Sequence, residues 1–159
     1  MTRLAYLNKA DAAQMLPKLF DILYDNMRHI APSGCSYGQE KQVWLQEVAP
    51  ALQKEPRRIV LMYADEELAG FCQYYINQGI FMVEEVQIKK PFQKTCLFFS
   101  LYRFFRRTVP QDTVYMEAWA DLRNHNSIKI MQKLGMVPVE TIEKRNLIHY
   151  RGTMKDIRK

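Results

Sequence analysis

The nine residues Ile80–Ile88, IFMVEEVQI, decide the fold of this chain. Their apolar and β-branched side chains predict a buried strand, and two adjacent carboxylates, Glu84 and Glu85, interrupt it. Neighbouring side chains on a regular strand point to opposite faces. The pattern therefore predicts that Glu84 and Glu85 lie on opposite faces, with Glu84 on the face of Val86 and Ile88.

Two further strands precede this stretch. Residues 77–79, Asn-Gln-Gly, are a turn signal, so the strand at 80–88 forms a hairpin with residues 68–76, which are rich in strand-forming side chains. The polar turn 65–67 joins that run to another at 58–64. The middle of the chain is therefore predicted to form three consecutive strands.

The region before these strands is mainly helical. Residues 3–7 predict a short strand, and Asn8 can cap a helix that carries apolar residues at helical spacing. Pro17 is expected to kink or split that helix. A second helix is predicted at 40–49, with Pro50 just past its end.

In the second half of the chain, the spacing of apolar residues alternates between that of helices and that of strands. Its predicted elements are a helix at 93–108, a strand at 113–120, a helix at 124–134 ended by Gly135, and strands at 137–143 and 147–154. The resulting order is β-α-α-β-β-β-α-β-α-β-β. This order predicts an α/β (α+β) fold with a mixed sheet, in a single domain over residues 1–159.

Composition narrows the classes of function. The chain has 159 residues and a net charge of +6, and it contains no apolar run long enough for a membrane helix. No signal peptide is visible, and Cys35, Cys72 and Cys96 are odd in number and lack metal-ligand spacing. We therefore expect a cytoplasmic protein without a metal. Nucleic-acid binding is not expected, since the basic residues are spread out and no stacking-aromatic motif accompanies them.

Three local sequences carry a family resemblance. They are residues 83–88, residues 124–136 (NHNSIKIMQKLGM) and the terminal hairpin that ends at 150–154. Together with the element order, they resemble the GNAT family of acyl-CoA-dependent N-acetyltransferases over nearly the whole chain. The resemblance implies the GNAT fold and acetyl-CoA as co-substrate.

The resemblance also implies which residues contact acetyl-CoA. Main-chain groups of Val86, Gln87 and Ile88 would pair with the pantetheine arm as an added strand would. Asn124 and Ser127 would lie beside the arm, although their plainer role is to start a helix. The pyrophosphate would rest on a loop at a helix N-terminus, where unpaired N–H groups attract anions. That loop comprises Gln93, Lys94, Thr95, Cys96, Leu97 and Phe98.

This loop departs from the family pattern. Cys96 and Phe98 stand where small residues normally let the backbone approach the phosphates. Lys89, Lys90 and Lys94 lie nearby and offer positive charge instead, or form a solvated basic rim. Phe98 equally fits the packed face of the following helix.

Acetyl transfer to an amine needs a base and a means of stabilising the leaving thiolate. Glu84 and Glu85 are the candidate bases, although a structural ion pair would explain either of them equally well. Many family members place a tyrosine acid at the position that here is Met131. Tyr115 and Tyr150 are the alternatives.

The sequence thus predicts an acetyl-CoA-dependent N-acetyltransferase that acts on a primary amine of a small molecule or peptide. The alternative is a GNAT-like binding or regulatory module without catalytic activity. The altered loop and Met131 favour this alternative. A homodimer is left open.

Overall fold

The computed structural model describes residues 1–54 and 56–159. The strands are β1 (Thr2–Tyr6), β2 (Arg58–Ala64), β3 (Glu67–Asn77), β4 (Ile80–Ile88), β5 (Tyr115–Asp121), β6 (Val137–Ile142) and β7 (Leu147–Thr153). The α-helices are α1 (Ala12–Met27), α2 (Tyr37–Lys54), α3 (Leu97–Thr108), α4 (His125–Lys133) and α5 (Met154–Ile157).

The seven strands form one mixed sheet in the order β1-β2-β3-β4-β5-β7-β6. β4 and β5 are the parallel pair, and the other neighbours are antiparallel. This is the α/β mixed sheet that the element order predicts, with the short helix α5 as an addition.

The sheet has a separate apolar core on each face. Ile59, Leu61 and Phe71 pack against α1 and α2 on one face. Val60 and Cys72, their neighbours in sequence, belong to the core beneath α3 on the other. We call these the α1 face and the α3 face. The alternation of side chains along a strand explains how one strand supplies both cores.

Both helices before β2 continue through a proline. α1 is unbroken at Pro17, so of the predicted kink or split, the split does not occur. α2 runs from Tyr37 to Lys54 with Pro50 inside it, which corrects the predicted end at residue 49. Proline costs a helix about 3 kcal/mol. Burial of α1 and α2 side chains against the sheet, at about 2 kcal/mol for each large apolar residue, offsets that cost.

The helix predicted at 93–108 begins later. A short 3-10 turn, Lys90–Phe92, follows β4, and α3 starts at Leu97. Cys96 occupies the cap position without a side-chain hydrogen bond to the helix. The amides that open this helix are therefore those after Cys96, four residues beyond the predicted start.

Candidate functional site

A notch opens in the middle of the sheet. Residues 80–83 of β4 pair in parallel with residues 115–118 of β5. Within the described chain, the two strands share no pairs beyond this point, while β5 stays paired with β7 to its end. We call the gap between residues 84–88 of β4 and residues 119–121 of β5 the notch.

The notch exposes backbone groups of β4. The Lys89 amide donates to the Ala69 carbonyl at 2.8 Å. Bonded and non-bonded pairs alternate along an antiparallel ladder, so Gln87 and Glu85 bond to β3. The N–H and C=O groups of Val86 and Ile88 consequently point into the notch. These are main-chain groups that the resemblance assigns to the pantetheine arm.

A β-bulge places both carboxylates on one face. Gln73 pairs with Glu85 and Tyr74 pairs with Val83, so Glu84 has no partner residue on β3. The extra residue reverses the alternation of side chains along β4. The prediction that Glu84 and Glu85 lie on opposite faces is therefore wrong, as is the one that groups Glu84 with Val86 and Ile88. Both carboxylates lie on the α1 face.

Glu84 is held in an ion pair. Two nitrogens of Arg57 contact its carboxylate at 2.5 and 2.7 Å. The Gln73 amide also donates to it at 3.1 Å. Both oxygens of the Glu84 carboxylate are therefore engaged by the Arg57 guanidinium.

Glu85 has a different environment, although it is adjacent in sequence. Burial raises the pKa of Glu85 from 4.5 to about 7. A hydrogen bond from Gln87, at 2.6 Å, opposes that rise in pKa, and the charge of Glu84 adds to it. A carboxylate with a pKa near neutrality is matched to accepting a proton at physiological pH.

The loop between β4 and α3 lies at the same end of the notch as Ile88. Gln93 folds back onto β4, and its side-chain amide donates to the Ile88 carbonyl at 2.9 Å. Lys94, Thr95 and Cys96 are exposed. The first N–H groups of a helix lack intrahelical acceptors, so the start of α3 offers donors beside the notch.

Phe98 points toward the notch. Its half-buried ring lines an apolar cavity of about 50 Å³ on the α3 face, together with Val86 and Met116. A cavity of this size holds one or two water molecules. The ring therefore occupies space beside the exposed edge of β4, whereas Leu97 is buried in the core below α3.

Asn124 and Ser127 start α4 on the far side of the notch. The side-chain oxygen of Asn124 accepts from the Ser127 amide at 3.2 Å, as the capping interpretation requires. The Asn124 amide also lies 3.8 Å from the sulfur of Met27, at the end of α1. α1 and α4 therefore approach each other across the notch.

A buried charge network lies on the α1 face of β5 and β7, and the sequence did not predict it. Glu117 is buried and contacts His149 at 2.9 Å and Arg151 at 2.6 Å. The His149 ring stacks on Trp119, with 4.5 Å between centroids and 9° between planes. Trp119 follows the last β4–β5 pair, so this stack borders the notch.

The candidate acids lie on opposite faces of the sheet. Tyr115 shares the α1 face with Glu117 and packs under the Arg151 guanidinium. Tyr150 is buried on the α3 face, where Gln132 lies 3.5 Å from its hydroxyl. Met131 is buried in the α3-face core, and its thioether has no proton to donate.

A larger cavity than the one beside Phe98 lies elsewhere. It measures about 570 Å³ between α1 and the ends of β3 and β4. Lys89 and Lys90 line it, but so do Asp21 and Asp25. Because its charges are mixed and it contains neither Glu84 nor Glu85, we place the candidate site at the notch.

Across residues 1–54 and 56–159, no three His, Cys, Asp or Glu side chains are grouped to bind a metal ion. The helices in this part of the chain are all too short or too polar to span a bilayer.

Comparisons with solved structures identify the fold. The chain is similar to an acetyltransferase from Thermus thermophilus, with a TM-score of 0.73 at 17% identity over 97% of each chain. It is also similar to a GNAT-family acetyltransferase from Staphylococcus aureus, with a TM-score of 0.73 at 8% identity over 97% of this chain and 99% of that one.

A third similar structure was solved with a ligand. It is the PaiA N-acetyltransferase from Thermoplasma acidophilum in complex with coenzyme A, with a TM-score of 0.70 at 12% identity over 96% of this chain and 99% of that one. No protein-family profile and no curated protein matches the sequence. The chain therefore has the GNAT fold, and the likeness rests on structure.

Proposed function

We infer that this chain is an acetyl-CoA-dependent N-acetyltransferase in which Glu85 accepts the proton of a primary amine. One observation carries this proposal: a carboxyl group with a pKa near 7 lies beside an unpaired strand edge, at the notch of a GNAT fold. The coenzyme A complex of the similar PaiA protein supports acetyl-CoA as the co-substrate. We place the activity in the cytoplasm, where free thiols such as those of Cys35 and Cys96 persist.

The notch provides the groups that acetyl transfer needs. Val86 offers its N–H and C=O groups, and Ile88 its N–H group, to the amide-bearing arm of the co-substrate, while Asn26 and Gln93 hold the Ile88 carbonyl. The start of α3 faces the phosphates of the co-substrate. The amine nitrogen attacks the thioester carbonyl, the carbon–sulfur bond breaks, and CoA leaves as the thiolate. Glu85 takes the amine proton, while Glu84 remains paired with Arg57.

The α1 face of β5 and β7 forms the acceptor side. Trp119 and Tyr115 offer aromatic surface there. Of the acidic groups that border the notch, Glu84 and Asp121 are held by arginines, whereas Glu85 is bonded to the Gln87 amide. An alkyl-ammonium group is attracted both by carboxylates and by aromatic faces. This chemistry supports a primary amine on a small molecule or peptide as the acceptor.

An assay of CoA release tests the proposed activity directly. The protein is incubated with acetyl-CoA and a panel of primary amines, and released CoA thiol is measured. We expect amine-dependent release whose rate rises with pH through about 7, as Glu85 loses its proton. Release that does not depend on any amine would contradict acetyl transfer to this class.

The alternative function, a binding module without activity, depends on Phe98. Its ring borders the narrow cavity beside Val86, where the arm would lie. Replacing Phe98 with glycine removes that ring, and we expect the Kd for acetyl-CoA to fall about tenfold, the factor that about 1.4 kcal/mol provides.

Calorimetric titration of the parent and the Phe98→Gly protein measures this change. Phe99→Gly is the matched control, because Phe99 is exposed on the same helical turn and lines neither cavity. The two substitutions change helix propensity alike. Equal affinities for the two variants would show that Phe98 does not restrict the notch.

A further inference from the structure

A continuous series of side-chain hydrogen bonds connects Glu85 to the loop before α3. The Gln87 amide donates to Glu85 at 2.6 Å, and its oxygen accepts from the Asn26 amide at 2.8 Å. Asn26 also donates to the Ile88 carbonyl at 2.9 Å. The oxygen of Asn26 accepts a weaker bond, of 3.4 Å, from Gln93.

The direction of every bond follows from one backbone group. The Ile88 carbonyl can only accept, so the NH₂ group of Asn26 must face it. The same NH₂ group then meets the oxygen of Gln87, which turns the Gln87 NH₂ group toward Glu85. Asn26 and Gln87 are both buried, so water does not compete for these groups.

We propose that Asn26 and Gln87 are positioning residues that fix the orientation of the Glu85 carboxylate and couple it to the loop at Gln93. A donor held against Glu85 favours its charged, proton-accepting form. The coupling arises because Gln93 and Asn26 share the Ile88 carbonyl, at the strand edge assigned to acetyl-CoA. The catalytic consequence rests on the function proposed above, whereas the effect on Glu85 itself does not.

Other charged groups around Glu85 do not replace this arrangement. Glu84 is neutralised by Arg57 on the same face. From β3 comes the Cys72 thiol, whose pKa burial raises well above its usual range, so it stays uncharged. Across the notch, Glu117 is already paired with His149 and Arg151. From α1, Asn26 reaches Glu85 through Gln87.

The test is the titration of Glu85 followed by carbon-13 NMR of its side-chain carboxyl group, in the full chain without acetyl-CoA. Gln87→Met keeps the length of the side chain and removes the donor. We expect the pKa of Glu85 to rise by about one unit, because a hydrogen bond to a charged group contributes about that much. An unchanged pKa would overturn the proposal.

Gln73→Met is the matched control. Gln73 is likewise buried and donates to a carboxylate, but to that of Glu84 at 3.1 Å. We expect it to leave the pKa of Glu85 nearly unchanged. A shift as large as that of Gln87→Met would show that the loss of any buried amide near the bulge has this effect, and would overturn the proposed role of Gln87.

Asn26→Asp and Asn26→Leu test the direction of the bonds. Aspartate can only accept, so it draws the NH₂ group of Gln87 away from Glu85 and turns the Gln87 oxygen toward it. We expect a larger rise in the pKa of Glu85 than with leucine, which merely releases Gln87. Equal titrations in Asn26→Leu and the parent would contradict coupling through Asn26.

These readouts separate the two proposals. If no amine is acetylated but the pKa of Glu85 shifts in Gln87→Met, the positioning role of Asn26 and Gln87 stands and the proposed function fails. If the parent is active and Gln87→Met changes neither the pKa of Glu85 nor the pH dependence of kcat, the positioning role fails and the proposed function stands.

Discussion

Replacing Glu85 with glutamine is expected to lower kcat for amine acetylation about 1000-fold, within the range that general base catalysis contributes. Glutamine has nearly the same shape but cannot take the amine proton. The affinity for acetyl-CoA should stay the same, since the backbone of β4 binds the arm. The remaining activity should also lose the rise with pH that Glu85 imposes.

Glu84→Gln is the matched control for this prediction. It changes the neighbouring carboxylate on the same face, but Glu84 is held by Arg57 and is not the proposed base. We expect a much smaller loss of kcat and a loss of stability, because the ion pair between Arg57 and Glu84 is lost. A larger loss of kcat in Glu84→Gln than in Glu85→Gln would reverse the assignment.

The stability of Glu85→Gln provides a second check. In the parent, the pKa of Glu85 is higher in the folded state than its ordinary value of 4.5. That group therefore stabilises the fold fully below pH 4.5, and its contribution is lost as the pH rises through about 7. The free energy of unfolding of Glu85→Gln should not show this decline.

Gly70→Ala is expected to lower the free energy of unfolding by about 3 kcal/mol, at the upper end of overpacking effects. A methyl group at Gly70 would lie 2.3 Å from the Gln87 carbonyl oxygen and 3.0 Å from the Ile88 Cα atom. Both are backbone atoms and cannot rotate away. The two strands must separate at the segment whose opposite edge forms the notch.

Urea denaturation measures this loss, with Gly38→Ala as the control. Gly38 lies in the first turn of α2, and a methyl group there meets no atom within 4 Å. We expect Gly38→Ala to unfold at the same urea concentration as the parent or a higher one, because alanine favours helix. Equal stability of Gly70→Ala and the parent would show that β3 and β4 do not approach each other at Gly70 as closely as these distances require.

Local sequence signals were sufficient for much of the fold. β2 and β4 have the predicted bounds, and the turn at residues 77–79 adopts positive φ angles of 50° at Gln78 and 76° at Gly79. Gly135 follows α4 with a φ of 79°, as a helix-ending glycine should. Each feature depends on residues adjacent in the chain.

Features that depend on tertiary packing were not predicted. VEEVQI has the pattern of a regular strand, and only pairing with β3 reveals the bulge that brings Glu84 and Glu85 to one face. The bond between Asn26 and Gln87 joins residues far apart in sequence through the packing of α1 on β4.

The charge network illustrates the same limit. Glu117 follows the strand alternation as any polar residue would, and His149 occurs in a different strand. Only the register of β5 against β7 brings the two together. An acidic residue between the apolar Met116 and Ala118 was the one signal in the sequence, and it indicates no partner.

Titration of the parent protein with acetyl-CoA, followed by amide NMR, shows where on the chain the co-substrate binds. The proposed function predicts saturable 1:1 binding, with the largest shifts at the Val86 and Ile88 amides and at the first amides of α3. If the parent and the Phe98→Gly protein both fail to bind acetyl-CoA, or if the shifts cluster at the cavity beside Asp21, the notch is not the site of acetyl transfer.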